Sequence, residues 1–325
     1  MKKIFCRKGV DVFDLENGEV VKVGPIEQIT KEYLAYNRLY HLVGRQPSAA
    51  LGTVTGFEIS GNTATLRLID VRCEGFIRNL EQVIEGAGED TKTRKCIDHA
   101  LSKSLELLFG PWSVFCRQWQ IFESPRLLIE ELLSGLVHLW RRAKPEQKKL
   151  VDMGAWLEHL TNPCIVERLL AGVSLGACHR DFCTCNIWLD QRGDIRVLDP
   201  QWSVTGSPVS SIGHVVLDLA SLRVNLERLQ SDRDRRGYAT PSGISKLQTC
   251  VDTQVDRCIN EGQFRRELFE LALFRRYFSF AVCSCEHCLA PARIHRFELM
   301  QERVREYSDK LLNLIGGNCG QGNHY

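Results

Sequence analysis

The chain has 325 residues, 44% of them hydrophobic and 25% charged, and its 42 basic and 40 acidic side chains leave a net charge of +2. This composition is typical of a globular protein of two domains, and the balanced charge argues against a dedicated nucleic-acid binder. No apolar segment is long enough to span a membrane, and the 14 cysteines without an export signal predict reduced thiols in a cytoplasmic protein.

The first 75 residues are predicted to form a small antiparallel sheet that carries one helix. KKIFCR is predicted as a strand, and VFDL and EVVKV as a hairpin, because Asn-Gly between β-prone segments is a strong turn signal. Residues 26–42 place apolar and aromatic side chains on one helical face. GTVTGFEI and ATLRLIDV are predicted as two further strands.

The rest of the chain is predicted to be mainly helical. The predicted helices span 92–109, 124–142, 146–160, 163–172, 214–229, 243–259, 262–289 and 292–315. The polar segment 230–243 is predicted as a mobile loop and the tail from Gly316 as disordered, whereas 110–122 is ambiguous. The role of the long region 76–175 stays open.

The stretch CHRDFCTCNIWLD at 178–190 places polar oxygen donors at informative spacings. Asp181 and Asn186 precede a predicted strand, and Asp199 follows a second predicted strand, IRVLD. A hairpin brings its two ends together, so the three side chains can line one cleft. Carboxylate and amide oxygens suit Mg²⁺, and a carboxylate that does not bind the metal can accept a proton from a hydroxyl. The spacing therefore predicts phosphoryl transfer from a metal-bound nucleotide.

The pattern H-x-D-x-x-x-x-N, followed by two strands and an Asp, resembles the catalytic segment of the protein-kinase-like superfamily. This resemblance implies that Asp181 is the catalytic base and that Asn186 and Asp199 bind Mg²⁺. It also implies that His179 is a structural residue of the loop.

The resemblance extends to the N-terminal part of the chain. It implies that Lys22, on the third predicted strand, binds the nucleotide phosphates and that Glu32 in the following helix holds Lys22, with Glu27 as a weaker alternative. Gly9 corresponds to the loop that covers the phosphates. The segment DLASL resembles the aminoglycoside phosphotransferase branch, where Asp218 would brace the catalytic loop.

Departures from protein kinases indicate a branch that acts on small molecules. Pro-Gln-Trp follows Asp199 in place of Phe-Gly, the segment up to Asp218 is short, and the phosphate loop holds one glycine. The chain therefore resembles aminoglycoside phosphotransferases, choline kinases and related kinases found among capsule and polysaccharide genes.

The resemblance implies a two-lobed α+β fold of the protein-kinase-like type. Residues 1–75 would form the N-lobe and 76–325 a mainly helical C-lobe. The catalytic loop would span 178–202 and the acceptor-binding helices 262–315. The adenine is expected against backbone groups around 70–75.

The implied activity is transfer of the γ-phosphoryl group of ATP, with GTP not excluded, to a hydroxyl of a small, sugar-like molecule. Two alternatives stay open. His179-Arg180-Asp181 is the protein-kinase form of the loop, which favours an atypical serine/threonine kinase. The other alternative is a pseudokinase scaffold that binds nucleotide without turnover. The acceptor and the oligomeric state are not assigned.

Several other residues have two possible interpretations. Cys283, Cys285 and Cys288 either bind a structural zinc ion or pack as thiols at a helix end, and their spacing favours packing. Asp190 and Asp194 read as turn residues. Cys183 and Cys185 lie near the cleft, where oxidation or alkylation could reach them.

Overall fold

The described chain forms two compact units. The computed structural model describes residues 2–7, 9–43, 50–86, 91–109, 124–200, 212–235, 242–285 and 291–317. The first unit comprises Met1–Gln120 and Gly176–Asp218, and the second comprises Ile121–Leu175 and Leu219–Tyr325. All the proposed catalytic and nucleotide-binding residues belong to the first unit.

The first unit contains an antiparallel sheet of five strands in the order β1-β2-β3-β5-β4. The strands are β1 (Lys2–Arg7), β2 (Val10–Asp14), β3 (Glu19–Pro25), β4 (Val54–Ser60) and β5 (Thr63–Ile69). They confirm the five strands predicted from the sequence. Gly9 and Gly18 have φ of +79° and +88° at the β1–β2 and β2–β3 turns, a conformation that costs glycine little. Lys22 lies on the central strand β3.

Helix α1 (Ile26–Val43) follows β3 directly and confirms the predicted helix. Its buried face includes Ile29, Tyr36, Leu39 and Val43, which recur at helical spacing. This face packs against β3, β4 and β5. Because Glu32 lies one turn before Tyr36, packing of α1 directs both side chains toward the same side of the helix.

The segment between Asn186 and Asp199 forms a hairpin of two short antiparallel strands, β8 (Ile187–Leu189) and β9 (Ile195–Val197). The segment Ala50–Gly52 lies along β9: the Val197 N–H donates to Ala50 O at 2.6 Å, and the Gly52 N–H donates to Val197 O at 3.0 Å. A Cβ at position 52 would meet the end of the Leu198 side chain, so glycine allows this close approach without a shift of Leu198. The approach places the hairpin beside the sheet of the same unit.

The remaining described elements of the first unit are short strands and two helices. They are β6 (Arg78–Asn79), α2 (Leu80–Gly86), α3 (Thr91–Phe109), β7 (Gly176–Ala177) and β10 (Ile212–Gly213). Strand β6 pairs with β8, and β7 pairs with β10. Helix α2 and strand β6 were not predicted, because seven and two residues are too short to show a periodic pattern.

The second unit is helical. Its helices are α4 (Arg126–Arg142), α5 (Pro145–Lys148), α6 (Met153–Thr161), α7 (Pro163–Leu169), α9 (Ser242–Asn260), α10 (Arg266–Cys285) and α11 (Pro291–Gly317). Helix α8 (Val215–Arg235) begins in the first unit and continues in the second. In the core, Trp156 stacks on Phe274 with ring centroids 4.7 Å apart. None of the described helices combines the length and apolar character that a membrane span requires.

Two helix predictions and one loop prediction were wrong in their bounds. The predicted helix 146–160 is two helices, because Asp152 begins α6 as a cap and accepts a hydrogen bond from the Ala155 N–H at 3.1 Å. The predicted loop 230–243 is partly helical, since α8 continues to Arg235 and α9 begins at Ser242. The turn around Gly262, with φ of +72°, delays α10 until Arg266.

Some predictions lie outside the described residues. These are the ambiguous segment 110–122, the tip of the predicted loop at 236–241, the end of the predicted helix at 286–289 and the tail beyond residue 317.

Candidate active site

Lys22 joins two distant parts of the chain. Its Nζ donates to Glu32 Oε1 on α1 at 2.6 Å and also forms an ion pair with Asp199 Oδ1 just after β9. The lysine is 9% exposed, whereas the Asp199 side chain is 47% exposed. The Asp199 side chain can therefore be reached from solvent.

The two carboxylates keep Lys22 charged despite its burial. Burial by itself lowers the pKa of Lys22, but the charges of Asp199 and Glu32 outweigh it and raise the pKa above its ordinary value. Burial also raises the pKa of Glu32, and the nearby ammonium opposes that effect. One ammonium faces two carboxylates, so the cluster carries a net negative charge that favours binding of a further cation.

Asp181 and Asn186 face each other across the catalytic loop. The Asn186 Nδ2 donates to the backbone oxygen of Asp181 at 3.0 Å and to its Oδ2 at 3.3 Å. The Leu198 N–H donates to Asn186 O at 2.9 Å, which connects the loop to the segment before Asp199. With the amide nitrogen directed at Asp181, the amide oxygen of Asn186 is left on the other side, where it can act as a ligand.

Asp218 braces the catalytic loop from the start of α8. Its carboxylate accepts from the His179 N–H at 2.9 Å and from the Arg180 N–H at 2.7 Å. Burial raises the pKa of Asp218 to about 6, against the opposing effect of these two donors. The His179 ring donates from Nε2 to Leu198 O at 2.9 Å, and burial lowers its pKa to about 4. These buried contacts are consistent with a structural role for both residues.

Arg180 and Asp199 both have left-handed backbones, with φ of +67° and +59°. Such conformations are uncommon outside glycine and persist where surrounding contacts hold them. Asp218 holds Arg180, and the buried Tyr36 hydroxyl accepts the Asp199 N–H at 2.9 Å. Tyr36 was predicted only as a member of the buried face of α1. Its position one turn after Glu32 was the signal that it could also reach the site.

If Asp199 binds Mg²⁺, as the resemblance implies, replacing Tyr36 with phenylalanine is expected to raise the Mg²⁺ requirement more than it lowers nucleotide affinity. The change leaves the Asp199 N–H without its acceptor, which costs about 1–3 kcal/mol of stability, and loosens Asp199. Loss of a contact behind a metal ligand typically weakens metal affinity about tenfold or more. The measurement is the Mg²⁺ concentration that gives half-maximal phosphoryl transfer, the activity that the resemblance implies.

Tyr33→Phe is the matched control, because Tyr33 lies on the same helix and its ring stacks on Phe57 with centroids 4.2 Å apart. The control is expected to keep the Mg²⁺ requirement of the wild type. An unchanged Mg²⁺ requirement in Tyr36→Phe would show that Tyr36 acts on stability alone.

His214 caps the start of α8. Its Nδ1 accepts from the Val216 N–H at 3.2 Å, so the neutral ring carries its proton on Nε2. Burial lowers the pKa of His214 from 6.5 to about 4. Protonation of Nδ1 would place a hydrogen against the Val216 N–H and break the cap.

His214→Asn is expected to make the protein less sensitive to acid. Because the folded pKa is lowered, His214 contributes stability above pH 6.5 that is lost as the pH falls toward 4. The variant should therefore lose about 3 kcal/mol less than the wild type across this window, since one pKa unit corresponds to about 1.4 kcal/mol. Asn retains an acceptor for the cap. Urea unfolding followed by circular dichroism across the window measures the difference.

The raised pKa of Asp218 has the opposite effect, because it stabilises the fold below its folded pKa of about 6, and it is present in both proteins. His138→Asn is the control, because His138 is exposed on α4. If His214→Asn and the wild type lose equal stability on acidification, His214 does not titrate as its burial implies.

The donor set fits Mg²⁺. Asp199 and Asn186 offer a carboxylate and an amide oxygen, both hard ligands, and Asp181 adds a second carboxylate nearby. Within the described part of the chain, no group of three or more His, Cys, Asp or Glu side chains forms a metal site of its own. A small cation that keeps several waters and also binds phosphate suits such a sparse set of ligands.

Other predicted positions differ in their surroundings. Glu27 pairs with Lys31 at 2.6 Å, so the structure pairs Lys22 with Glu32 and not with Glu27. Gly9 lies at the β1–β2 turn.

In the segment predicted to contact adenine, the N–H groups of residues 72–76 all donate to acceptors within residues 70–72. These five N–H groups are therefore already engaged and are not available as donors to an adenine. The side chains of Cys283, Cys285 and Cys288 lie outside the described residues.

The catalytic turn, residues 183–186, is anchored at its middle by residues that the sequence did not single out. The Thr184 Oγ1 donates to Glu81 Oε2 at 3.3 Å, and the Glu81 N–H donates to Thr184 O at 3.2 Å. Thr184 is fully buried. Helix α2 thereby holds the turn that carries Asn186.

Neither protein-family profiles nor curated protein sequences match this chain. Solved structures do match it. An ethanolamine kinase from Plasmodium vivax has a TM-score of 0.51 at 12% identity, covering 96% of this chain and 83% of that chain. A glucosamine kinase has a TM-score of 0.49 at 13% identity, covering 92% and 77%. An aminoglycoside phosphotransferase from Streptomyces rimosus, in complex with ADP and streptomycin, has a TM-score of 0.47 at 14% identity, covering 91% and 90%.

The similarity to the ethanolamine kinase extends over nearly the whole chain, and at this identity it is a similarity of fold. This similarity of fold accords with the described architecture, in which an antiparallel sheet carries one packed helix and the second unit is helical. The predicted α+β fold and the predicted resemblance are thus confirmed at the level of structure. The chain therefore shares its fold with this ethanolamine kinase.

Proposed function

We propose that this protein transfers the γ-phosphoryl group of ATP to a hydroxyl of a small, sugar-like molecule. The observation that carries the proposal is the ion-pair cluster of Lys22 with Glu32 and Asp199, beside the paired Asp181 and Asn186. The fold is that of a Plasmodium vivax ethanolamine kinase, a protein named for a small hydroxyl-bearing acceptor.

Each side chain has a defined part in this mechanism. A lysine ammonium has three donors, and Lys22 directs two of them at Glu32 and Asp199, which leaves one for a phosphate oxygen. Glu32 holds the ammonium in place on the central strand. Asp181 orients the acceptor hydroxyl and takes its proton as the new bond to phosphorus forms.

Asn186 and Asp199 would hold Mg²⁺. When bound, the cation offsets the negative charge of the phosphate oxygens. Tyr36 and Thr184 keep the two ligands in position from behind, through the Asp199 N–H and the anchored turn. The assignment of Gly9 to the phosphate loop and of residues 262–315 to acceptor binding rests on the resemblance alone.

The test is an acceptor panel with the full chain, Mg²⁺ and either ATP or GTP. The panel contains amino alcohols, hexoses, hexosamines, aminoglycosides and an unrelated protein. Mass spectrometry then identifies any phosphorylated product. We expect transfer to one class of small molecule and no transfer without Mg²⁺.

Two other outcomes would contradict the proposal. Transfer to the protein substrate alone would favour the atypical protein kinase. Nucleotide binding without transfer and without nucleotide hydrolysis would favour the scaffold. Comparison of ATP with GTP in the same assay determines the nucleotide preference.

A further inference from the structure

Two cysteines of the catalytic turn lie in direct contact. The Cys183 Sγ and the Cys185 Sγ are 3.0 Å apart, closer than two unbonded sulfur atoms usually approach. Cys183 is 2% exposed, whereas Cys185 is exposed. The pair therefore combines one sulfur that a reagent can reach with a second sulfur immediately behind it.

The backbone around the pair favours closure of a disulfide. The Asn186 N–H donates to Cys183 O at 3.0 Å, so the cysteines occupy the first and third positions of a β-turn. A turn brings these positions closer together than an extended chain does. An S–S bond of about 2.0 Å requires the sulfurs to approach by about 1 Å, which is a local movement.

The same turn cannot absorb this movement at its centre. Thr184 lies between the two cysteines and is fully buried, with hydrogen bonds to the side chain and the backbone of Glu81. Closure of the disulfide therefore displaces the residues on either side of the turn. On one flank the Cys183 N–H donates to Asp181 O at 2.8 Å, and on the other the Cys185 Sγ lies 3.7 Å from Asn186 Oδ1.

We propose that Cys183 and Cys185 form a redox-sensitive dithiol site, which a small disulfide such as glutathione disulfide converts to an intrachain disulfide that displaces Asn186. The predicted consequence for nucleotide binding rests on the proposed function, because it needs Asn186 as a ligand of the nucleotide-bound metal. The formation of the bond and the displacement do not depend on that function.

The chemistry proceeds in two exchange steps. The exposed Cys185 sulfur, as a thiolate, attacks glutathione disulfide, breaks its S–S bond and releases one glutathione thiolate. The Cys183 sulfur then loses its proton to solvent and attacks the Cys185 sulfur of the mixed disulfide, which releases the second glutathione. The two cysteines lose two electrons and two protons in total, and glutathione disulfide is reduced to two glutathione molecules.

Mass spectrometry tests the bond directly. Cleavage after Arg180 and Arg192 yields the peptide DFCTCNIWLDQR, which contains these two cysteines and no other. After treatment of the folded full chain with glutathione disulfide and alkylation of the remaining thiols, we expect this peptide to be two hydrogens lighter and not alkylated. A doubly alkylated peptide, under conditions that modify the exposed Cys164, would overturn the proposal.

Single variants test the order of the steps. Cys183→Ser should stop at a glutathione adduct on Cys185, whereas Cys185→Ser should leave the buried Cys183 unmodified. Cys164→Ser, at an exposed cysteine of α7, is the matched control and should form the disulfide as the wild type does. An adduct on Cys183 in place of Cys185 would contradict the proposed order.

Hydrogen exchange tests the displacement without any assay of activity. We expect the amides of Cys183 and Asn186, both hydrogen-bonded in the turn, to exchange faster in the disulfide form. Unchanged exchange in a fully oxidised sample would overturn the displacement. Affinity for ADP with Mg²⁺ should fall at least about 10- to 100-fold on oxidation, the loss typical when only the contacts that orient a metal ligand are broken, and return with dithiothreitol.

The two proposals fail separately. If the reduced protein binds no nucleotide, the proposed function is wrong, and the peptide mass and amide exchange still decide whether the pair closes and moves the turn. If the reduced protein binds nucleotide and the oxidised protein binds it equally well, the redox site does not act on Asn186.

Discussion

Replacing Asp199 with asparagine is expected to reduce phosphoryl transfer about a thousandfold, because loss of the metal's charge stabilisation costs several kcal/mol and each 1.4 kcal/mol corresponds to a factor of ten. The substitution also removes one of the two carboxylates that hold Lys22, so the ammonium would turn toward Glu32 alone. Initial rates at saturating nucleotide and varied Mg²⁺ measure the effect. We expect excess Mg²⁺ to restore only part of the rate.

Asp194→Asn is the matched control for Asp199→Asn. Asp194 lies on the same β8–β9 hairpin and is exposed, so the identical chemical change there should leave the rate unchanged. If Asp199→Asn kept the wild-type rate and Mg²⁺ requirement, Asp199 would not be the metal ligand.

Asp181→Asn is expected to lower turnover about 10²- to 10⁴-fold, the usual contribution of a positioned general base. Nucleotide affinity should stay close to that of the wild type, since Asp181 acts on the acceptor. The amide oxygen of asparagine can still accept the Asn186 contact, so the loop should keep its conformation. Separate measurements of kcat, of KM for the acceptor and of nucleotide affinity distinguish this pattern from a defect in folding.

Asp190→Asn serves as the control for Asp181→Asn. The Asp190 Oδ1 accepts from the N–H groups of Arg192 and Asp194 in the hairpin turn, and an asparagine oxygen can do the same. This variant should retain full turnover. Equal losses in Asp181→Asn and Asp190→Asn would indicate that the hairpin, and not the Asp181 carboxylate, limits the reaction.

The two variants separate the halves of the proposed site. Asp199 belongs to the Lys22 cluster, which would bind the nucleotide and its metal, whereas Asp181 lies opposite Asn186 on the side assigned to the acceptor. An Asp199 effect on Mg²⁺ dependence together with an Asp181 effect on turnover alone would support both assignments.

The predicted strands and α1 were confirmed because their signals are local. Alternation of apolar residues, the Asn-Gly turn before β3 and the helical periodicity of 26–42 each depend on residues close together in the chain. Predictions were wrong where a local signal competed with packing. The polar segment after Leu229 was predicted as a loop, but α8 continues through it to Arg235. There Asp232 is buried, and its Oδ2 lies 3.8 Å from a guanidinium nitrogen of Arg228.

The spacing of Asp181, Asn186 and Asp199 showed in advance that these residues belong to one hairpin, since all three lie within 19 residues of one another. Lys22 and Asp199 are 177 residues apart in the chain. Only the resemblance, and no local spacing, indicated that they share a site. The sequence predicted Tyr36 only as a core residue. An apolar helical face does not indicate which buried hydroxyl accepts a hydrogen bond from a backbone amide.

The sequence by itself determined the strands, the central helix and the hairpin that carries Asp181, Asn186 and Asp199, because each depends on local spacing and on residue type. The same spacing led to the proposed phosphoryl transfer. Only the tertiary structure decided the pairing of Lys22 with Glu32 and Asp199, the support of Asp199 by Tyr36, and the anchoring of Thr184 by Glu81. Such contacts join elements that are far apart in the chain. They require α1 to pack on the sheet and the hairpin to lie beside Ala50–Gly52, and no local pattern encodes those distances.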